Sequence, residues 1–114
     1  MHEATVAQSL LTTILAEAQK QNAKPVSAQI SCGVLNPVND EVLTFAFDAM
    51  AEGTACHGMK LNIEHKPITG KCRTCGQTFD VDFRDPVCPA CKSSDFELLP
   101  DAPLLLESIE FETE

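Results

Sequence analysis

The chain has 114 residues, 44% hydrophobic and 22% charged, close to the globular norm of about 45–50% and 25%, so it has one domain's worth of sequence able to form a core. This excludes a large multidomain enzyme and a disordered chain. Eight Lys and Arg against 17 Asp and Glu give a net charge of -9, and the six Phe are the only aromatics, so phosphate backbones are repelled and bases find few stacking platforms.

From Glu3 to about Asn22 the apolar residues Val6, Ala7, Leu10, Leu11, Ile14, Leu15 and Ala18 recur at three- and four-residue steps, which predicts an amphipathic helix. Ala23-Lys24-Pro25 ends it. Val26, Ala28, Ile30, Cys32 and Val34 then alternate with smaller or polar residues as in a half-buried strand. Asn36-Pro37 offers a cap and a first-turn proline for a second helix, with Val38, Val42, Phe45, Ala46, Ala49 and Met50 as its apolar stripe, widened by Leu43 and Phe47. Gly53 is the expected stop. Met59, Leu61 and Ile63 alternate with Lys60, Asn62 and Glu64 in a second strand, and strand, helix, strand implies a parallel crossover.

Between Pro67 and Pro100 the pattern changes to four Cys, a short Phe79-Val81-Phe83 alternation and little else that is apolar. So small a unit needs a metal to hold it. Leu104 to Phe111 is apolar enough to rejoin the first sheet. The expected architecture is α+β: a small mixed three-stranded sheet with two helices and an inserted four-cysteine zinc-ribbon module. Its division would be residues 1–67 plus 101–114 in one body and 68–100 in the module.

Cys72-x2-Cys75 and Cys88-x2-Cys91 are separated by 12 residues, a little short of the usual ~15–20 but of the same form. Two such turns converge four sulfurs on one tetrahedral ion at about 2.3 Å, which closes the site and makes zinc structural. Gly76 suits the bend after the first pair, whereas Lys92 stands where a second glycine would be easiest. A single iron in a rubredoxin-like carrier also accepts four thiolates, but it would leave the N-terminal portion without a task.

The first three residues carry a different chemistry. The Met1 amine, the His2 amide nitrogen and the His2 imidazole can chelate one ion through fused rings, and a planar nitrogen set favours nickel(II) or copper(II). Glu3 can close the square or orient the imidazole. The bulk of His2 is expected to keep Met1 in place after synthesis.

Met1-His2-Glu3, the Phe45-Ala46-Phe47 helix with Gly53-Thr54, the Leu61-Asn62-Ile63-Glu64 strand, the double CxxC and the closing Ile109-Glu110 strand together resemble the HypA/HybF hydrogenase maturation proteins over nearly the whole chain. The resemblance implies nickel at His2 and structural zinc at Cys72, Cys75, Cys88 and Cys91. It also implies a non-enzymatic nickel metallochaperone that serves the large subunit of a [NiFe]-hydrogenase, beside a HypB-type GTPase, with urease as a further target in some members. Two departures stand out: Leu98 to Pro103 lacks the expected glycine, and Cys56-His57 stands where an acidic residue is commoner before Gly58. The competing reading is a zinc-ribbon adaptor that carries no transient metal.

The remaining candidates read more plainly. Cys32 is expected to be a small buried hydrophobe, Cys56-His57 a loop thiol and a solvated imidazole, and His65 a strand residue without a partner. Glu107, Glu110, Glu112 and Glu114 form an acidic, solvated face. No run reaches the ~20 apolar residues of a membrane span and no secretory signal is recognisable, so a cytoplasmic protein without membrane insertion or nucleic acid is expected; the sequence is compatible with a homodimer.

Overall fold

The computed structural model describes residues 2–35 and 37–112; Met1, Asn36, Thr113 and Glu114 lie outside them. The order is α1 (Glu3–Gln21), β1 (Pro25–Gly33), α2 (Asp40–Ala51), β2 (Lys60–Lys66), β3 (Thr69–Cys72), β4 (Thr78–Asp80), β5 (Phe96–Leu98) and β6 (Leu105–Phe111). The α+β architecture is the expected one.

Helix α1 buries Ala7, Leu10, Ile14 and Ala18, the three- and four-residue steps of one face. It ends at Asn22, whose left-handed backbone (φ 48°) turns its N–H back onto the Ala18 and Gln19 carbonyls, a role Asn fills at low steric cost. Pro25 then opens β1.

The second helix corrects two expectations. It begins at Asp40, not behind the Asn36-Pro37 pair, and its cap is Asn39, whose side chain accepts from the Val42 N–H at 3.0 Å. Asp40 and Glu41 fall in the first turn, where the helix dipole favours them. Val38 is buried just ahead of the helix. The buried face is Leu43, Phe47 and Ala51, whereas Val42, Met50 and Phe45 are exposed, Phe45 at 77%. Gly53, two residues past the end, has the positive φ of 79° that favours glycine.

The first sheet runs β2-β1-β6, with β1 parallel to β2 and antiparallel to β6. The parallel β1–β2 pair separated by α2 fits the expected crossover. Ala28, Ile30 and Cys32 on β1 face Ile14 and Leu10 of α1 and Leu43 and Phe47 of α2 in one core, with Cys56 and Met59 closing it.

The second sheet is antiparallel, order β4-β3-β5, and gathers a separate small core of Ile68, Cys72, Phe79, Val81 and Cys88 with Phe96 against it. Phe79 and Phe96 meet edge to face, centroids 5.2 Å apart, the arrangement ring quadrupoles prefer. Phe83, expected to continue the alternation, is exposed. Two cores explain a radius of gyration of 18.1 Å, well above the ~13 Å of a compact 100-residue chain.

The return into β6 needs no glycine of its own. The Gly33 N–H donates to the Ala102 carbonyl at 3.0 Å and the Leu35 N–H to the Asp101 carboxylate at 3.1 Å. The glycine sits instead on the other side of that junction, at Gly33, where a Cβ would collide with the Asp101 carboxylate.

Candidate metal centres

The two CxxC turns are built alike. Cys72 donates its N–H to the Gln77 carbonyl and accepts from the Gly76 N–H; Cys88 donates to the Ser93 carbonyl and accepts from the Lys92 N–H, all at 2.8–2.9 Å. Gly76 and Lys92 occupy the same left-handed position in each turn, φ 77° and 65°. A glycine takes that conformation freely and a lysine does not. Thr74 Oγ1 and Ser93 Oγ tie the turns together at 3.0 Å, and the Arg73 guanidinium donates to the Asp95 carboxylate and the Phe96 carbonyl.

The result is a cage of four thiols whose sulfurs all lie within 4.8 Å of one another, with Cys72–Cys91 at 3.5 Å and Cys75–Cys88 at 3.7 Å. The sulfur–sulfur edge of a tetrahedron with 2.3 Å bonds is about 3.8 Å, so the cage has the size a zinc ion requires. Cys72 and Cys88 are buried while Cys75 and Cys91 are exposed.

The electrostatics are those of four acids crowded together. The Cys75 backbone N–H, 3.4 Å from Cys72 Sγ, is the leading cause that pulls Cys72 down to about 6, helped by the Thr74 amide and the neighbouring thiols. At Cys91 the Ser93 amide pulls the same way but is outweighed by Cys72, by burial and by the other two thiols, and its pKa is pushed up to about 12. Thiolates this close raise one another's proton affinity, and a cation among them would relieve that repulsion.

At the head of α1 His2 is exposed, with extended backbone (φ -85°, ψ 93°), and its carbonyl accepts the first helical bond from Val6. Met1 lies outside the described residues. Glu3 is half-buried, and its Oε2 accepts from the Asn39 N–H at 2.8 Å. That amide chiefly lowers the Glu3 pKa, aided by Glu3's own backbone.

One expectation about the other candidates is corrected and others are refined. His65 is not partnerless: its Nδ1 lies 3.4 Å from Cys32 Sγ and its Nε2 2.6 Å from Asp40 Oδ1. Cys32 is fully buried as expected, but it is also hydrogen-bonded. Cys56 lies in the turn after α2, a loop thiol as expected, but it is buried against the first core, and burial raises its pKa. His57 beside it is exposed. Glu107 is exposed but tied, accepting from Ser31 Oγ at 2.6 Å and Lys66 Nζ at 3.2 Å; Glu110 and Glu112 are exposed, and Glu114 lies outside the described residues. The signal for His65 lay in the parallel pairing, which sets Cys32 opposite His65.

Fold and cage together define a small α+β protein that carries a four-thiol metal-binding cluster on its own sheet. Residues 1–111 match the family model described as "Hydrogenase/urease nickel incorporation, metallochaperone, hypA", and the chain belongs to the HypA family of hydrogenase maturation metallochaperones. It is 34% identical over 115 residues to the hydrogenase maturation factor HypA of Aquifex aeolicus, covering all of both chains. It is 31% identical over 113 residues to HybF of Escherichia coli O157:H7, covering 98% of this chain and 100% of that one. The solution structure of the Ni metallochaperone HypA from Helicobacter pylori shares its fold, with a TM-score of 0.63 at 24% identity over the full length of both.

No helix among the described residues is long and apolar enough to cross a membrane.

Proposed function

We propose that this chain carries nickel(II) at its amino end and passes it into the large subunit of a [NiFe]-hydrogenase, while zinc in the four-cysteine cage is structural. The observation that carries this reading is the exposed, extended His2 at the head of α1. There its imidazole and amide nitrogen, with the Met1 amine, would supply three nitrogens in one plane, the set nickel(II) prefers. The division of the chain follows: 1–67 with 101–114 as the nickel-carrying body, 68–100 as the zinc module.

Glu3 fits the orienting role better than the ligand role, because its carboxylate is already engaged by Asn39. Zinc would be held by Cys72, Cys75, Cys88 and Cys91; it would supply the positive charge that the four thiolates need and leave no open coordination position. The cargo ion would leave by accepting an incoming ligand above the plane of nitrogens. Hydrolysis of nucleotide would belong to a HypB-type GTPase, this chain itself being no enzyme, and urease would be a further recipient where the organism makes one. The setting would be the cytoplasm, and a homodimer is compatible with this role.

Nickel titration of untagged protein tests the reading. One equivalent with a planar nickel(II) absorption band is expected, lost on acetylation of the amine and in His2→Ala, with the fold retained. Acid should weaken capture, because binding displaces protons from amine, amide and imidazole. Unchanged nickel binding after acetylation would overturn the proposal and leave a zinc-ribbon adaptor.

A further inference from the structure

We propose that Cys32 and His65, with Asp40 behind the imidazole, form a second and exchangeable binding site for a divalent ion of the cobalt, nickel and zinc group. Three observations carry it. First, an ionised carboxylate only accepts hydrogen bonds, so in the neutral imidazole the 2.6 Å contact to Asp40 Oδ1 places the hydrogen on Nε2 and leaves the Nδ1 lone pair facing Cys32 Sγ. Carboxylate, imidazole and ion in line is the arrangement that fixes and strengthens a histidine ligand.

Second, the spacing suits a shared ion. A sulfur at 2.3 Å and a nitrogen at about 2.0–2.1 Å on one tetrahedral ion lie about 3.5 Å apart, and Sγ and Nδ1 are separated by 3.4 Å. The backbone sets this spacing, since the parallel register puts Cys32 directly opposite His65. Third, the sulfur is fully buried while the imidazole is 32% exposed. His65 is thus the open side of the pair, from which an ion would arrive, and water or an incoming ligand would fill its remaining positions.

On binding, the proton shared between Sγ and Nδ1 departs to solvent, the thiolate and the imidazole each give one electron pair to the ion, and nothing is oxidised or reduced. Two protein ligands make the site weak and quick to release. Its location gives it a use that rests on the nickel reading above: Asp40 directly follows Asn39, whose N–H holds Glu3. The pair is thus tied into the same corner as the amino end, as a station between that end and a recipient.

The test uses full-length zinc-loaded protein with an acetylated amine, which removes the N-terminal chelate, and cobalt(II) as the probe. Thiolate-to-cobalt charge-transfer absorption should grow with one equivalent and be absent in Cys32→Ser. Serine preserves a hydroxyl donor to Nδ1 but not the soft ligand, so a mere hydrogen bond would survive this change. His65→Gln, at the surface and tolerant of folding, should also lose the band, and Asp40→Asn should weaken it about tenfold. Identical absorption in the wild type and Cys32→Ser would overturn the proposal. Because the amine is blocked throughout, that failure says nothing about nickel capture at His2, and loss of nickel capture would not touch this site.

Discussion

The Glu3 carboxylate and the Asn39 backbone amide meet at 2.8 Å although they are 36 positions apart in the chain. One bond thus fastens the head of α1 to the cap of α2, and the cap's amide is what holds the Glu3 carboxyl below its ordinary 4.5. A carboxyl depressed on folding contributes stability above its unfolded value and loses it as pH falls through the folded one. The Asn39 amide resonance should therefore titrate with an inflection below 4.5. An inflection that persists in Glu3→Gln would assign it to another group.

The exposed and buried aromatics of α2 should separate sharply in stability. Phe47 is fully buried between sheet and α1, and Phe47→Ala should cost about 3–5 kcal/mol by urea denaturation. Phe45 is 77% exposed, and Phe45→Ala should stay within about 0.5 kcal/mol of the parent. Equal losses would mean that Phe45 also packs in the core.

How far the sequence reached is clear from that same helix. Its existence was legible, but Leu43-Thr44-Phe45-Ala46-Phe47 is apolar on nearly every side, so periodicity alone cannot choose the buried face. The choice falls to tertiary fit, which took Leu43, Phe47 and Ala51. Reading the cap from the Asn36-Pro37 pair overlooks Asn39, which caps the helix with Asp40 and Glu41 in its first turn. Helix α1 was readable because its stripe is narrow and Pro25 stops it; the thiol cage, because ligand spacing is local. The partners of His65 and Glu107 depend on strand register across 33 and 76 positions, which no local pattern carries.

The left-handed position in each cysteine turn gives opposite substitutions opposite signs. Lys92 sits at φ 65° where Gly76 sits at φ 77°, and that conformation costs a residue with a Cβ about 1–2 kcal/mol. Lys92→Gly should raise the melting temperature of the protein, reduced somewhat by glycine's greater freedom when unfolded, and Gly76→Ala should lower it. A Cβ at Gly76 meets no atom within 4 Å, so any loss there reports backbone strain and not a clash.

Glu107 provides an acid-side marker for the first sheet. Ser31 Oγ and then Lys66 hold its carboxyl below 4.5, so its stabilising share is present above that value and disappears as pH falls through the lowered one. Glu107→Gln should flatten the acid limb of stability against pH while leaving the neutral-to-basic side parallel to the parent. Denaturation midpoints between about pH 3 and 7 measure it, and an unchanged acid limb would show that the carboxylate is not linked to folding.

If the four-cysteine cage holds zinc as proposed, removing the ion should melt one core and spare the other. Among the described residues the second core contains Ile68, Phe79, Val81 and Phe96 besides two of the cysteines, too little apolar surface to offset the ordering of its backbone without a metal. Under chelation, amide exchange should accelerate through β3, β4 and β5 and stay slow in α1 and β1. Strand β6 lies beyond the module, yet it should remain paired, because turning the module into a longer flexible loop adds only about 0.6 kcal/mol per doubling of length. Cys72→Ser should reproduce the pattern without a chelator. Uniform loss of protection across both sheets would show instead that the cores fold as one unit.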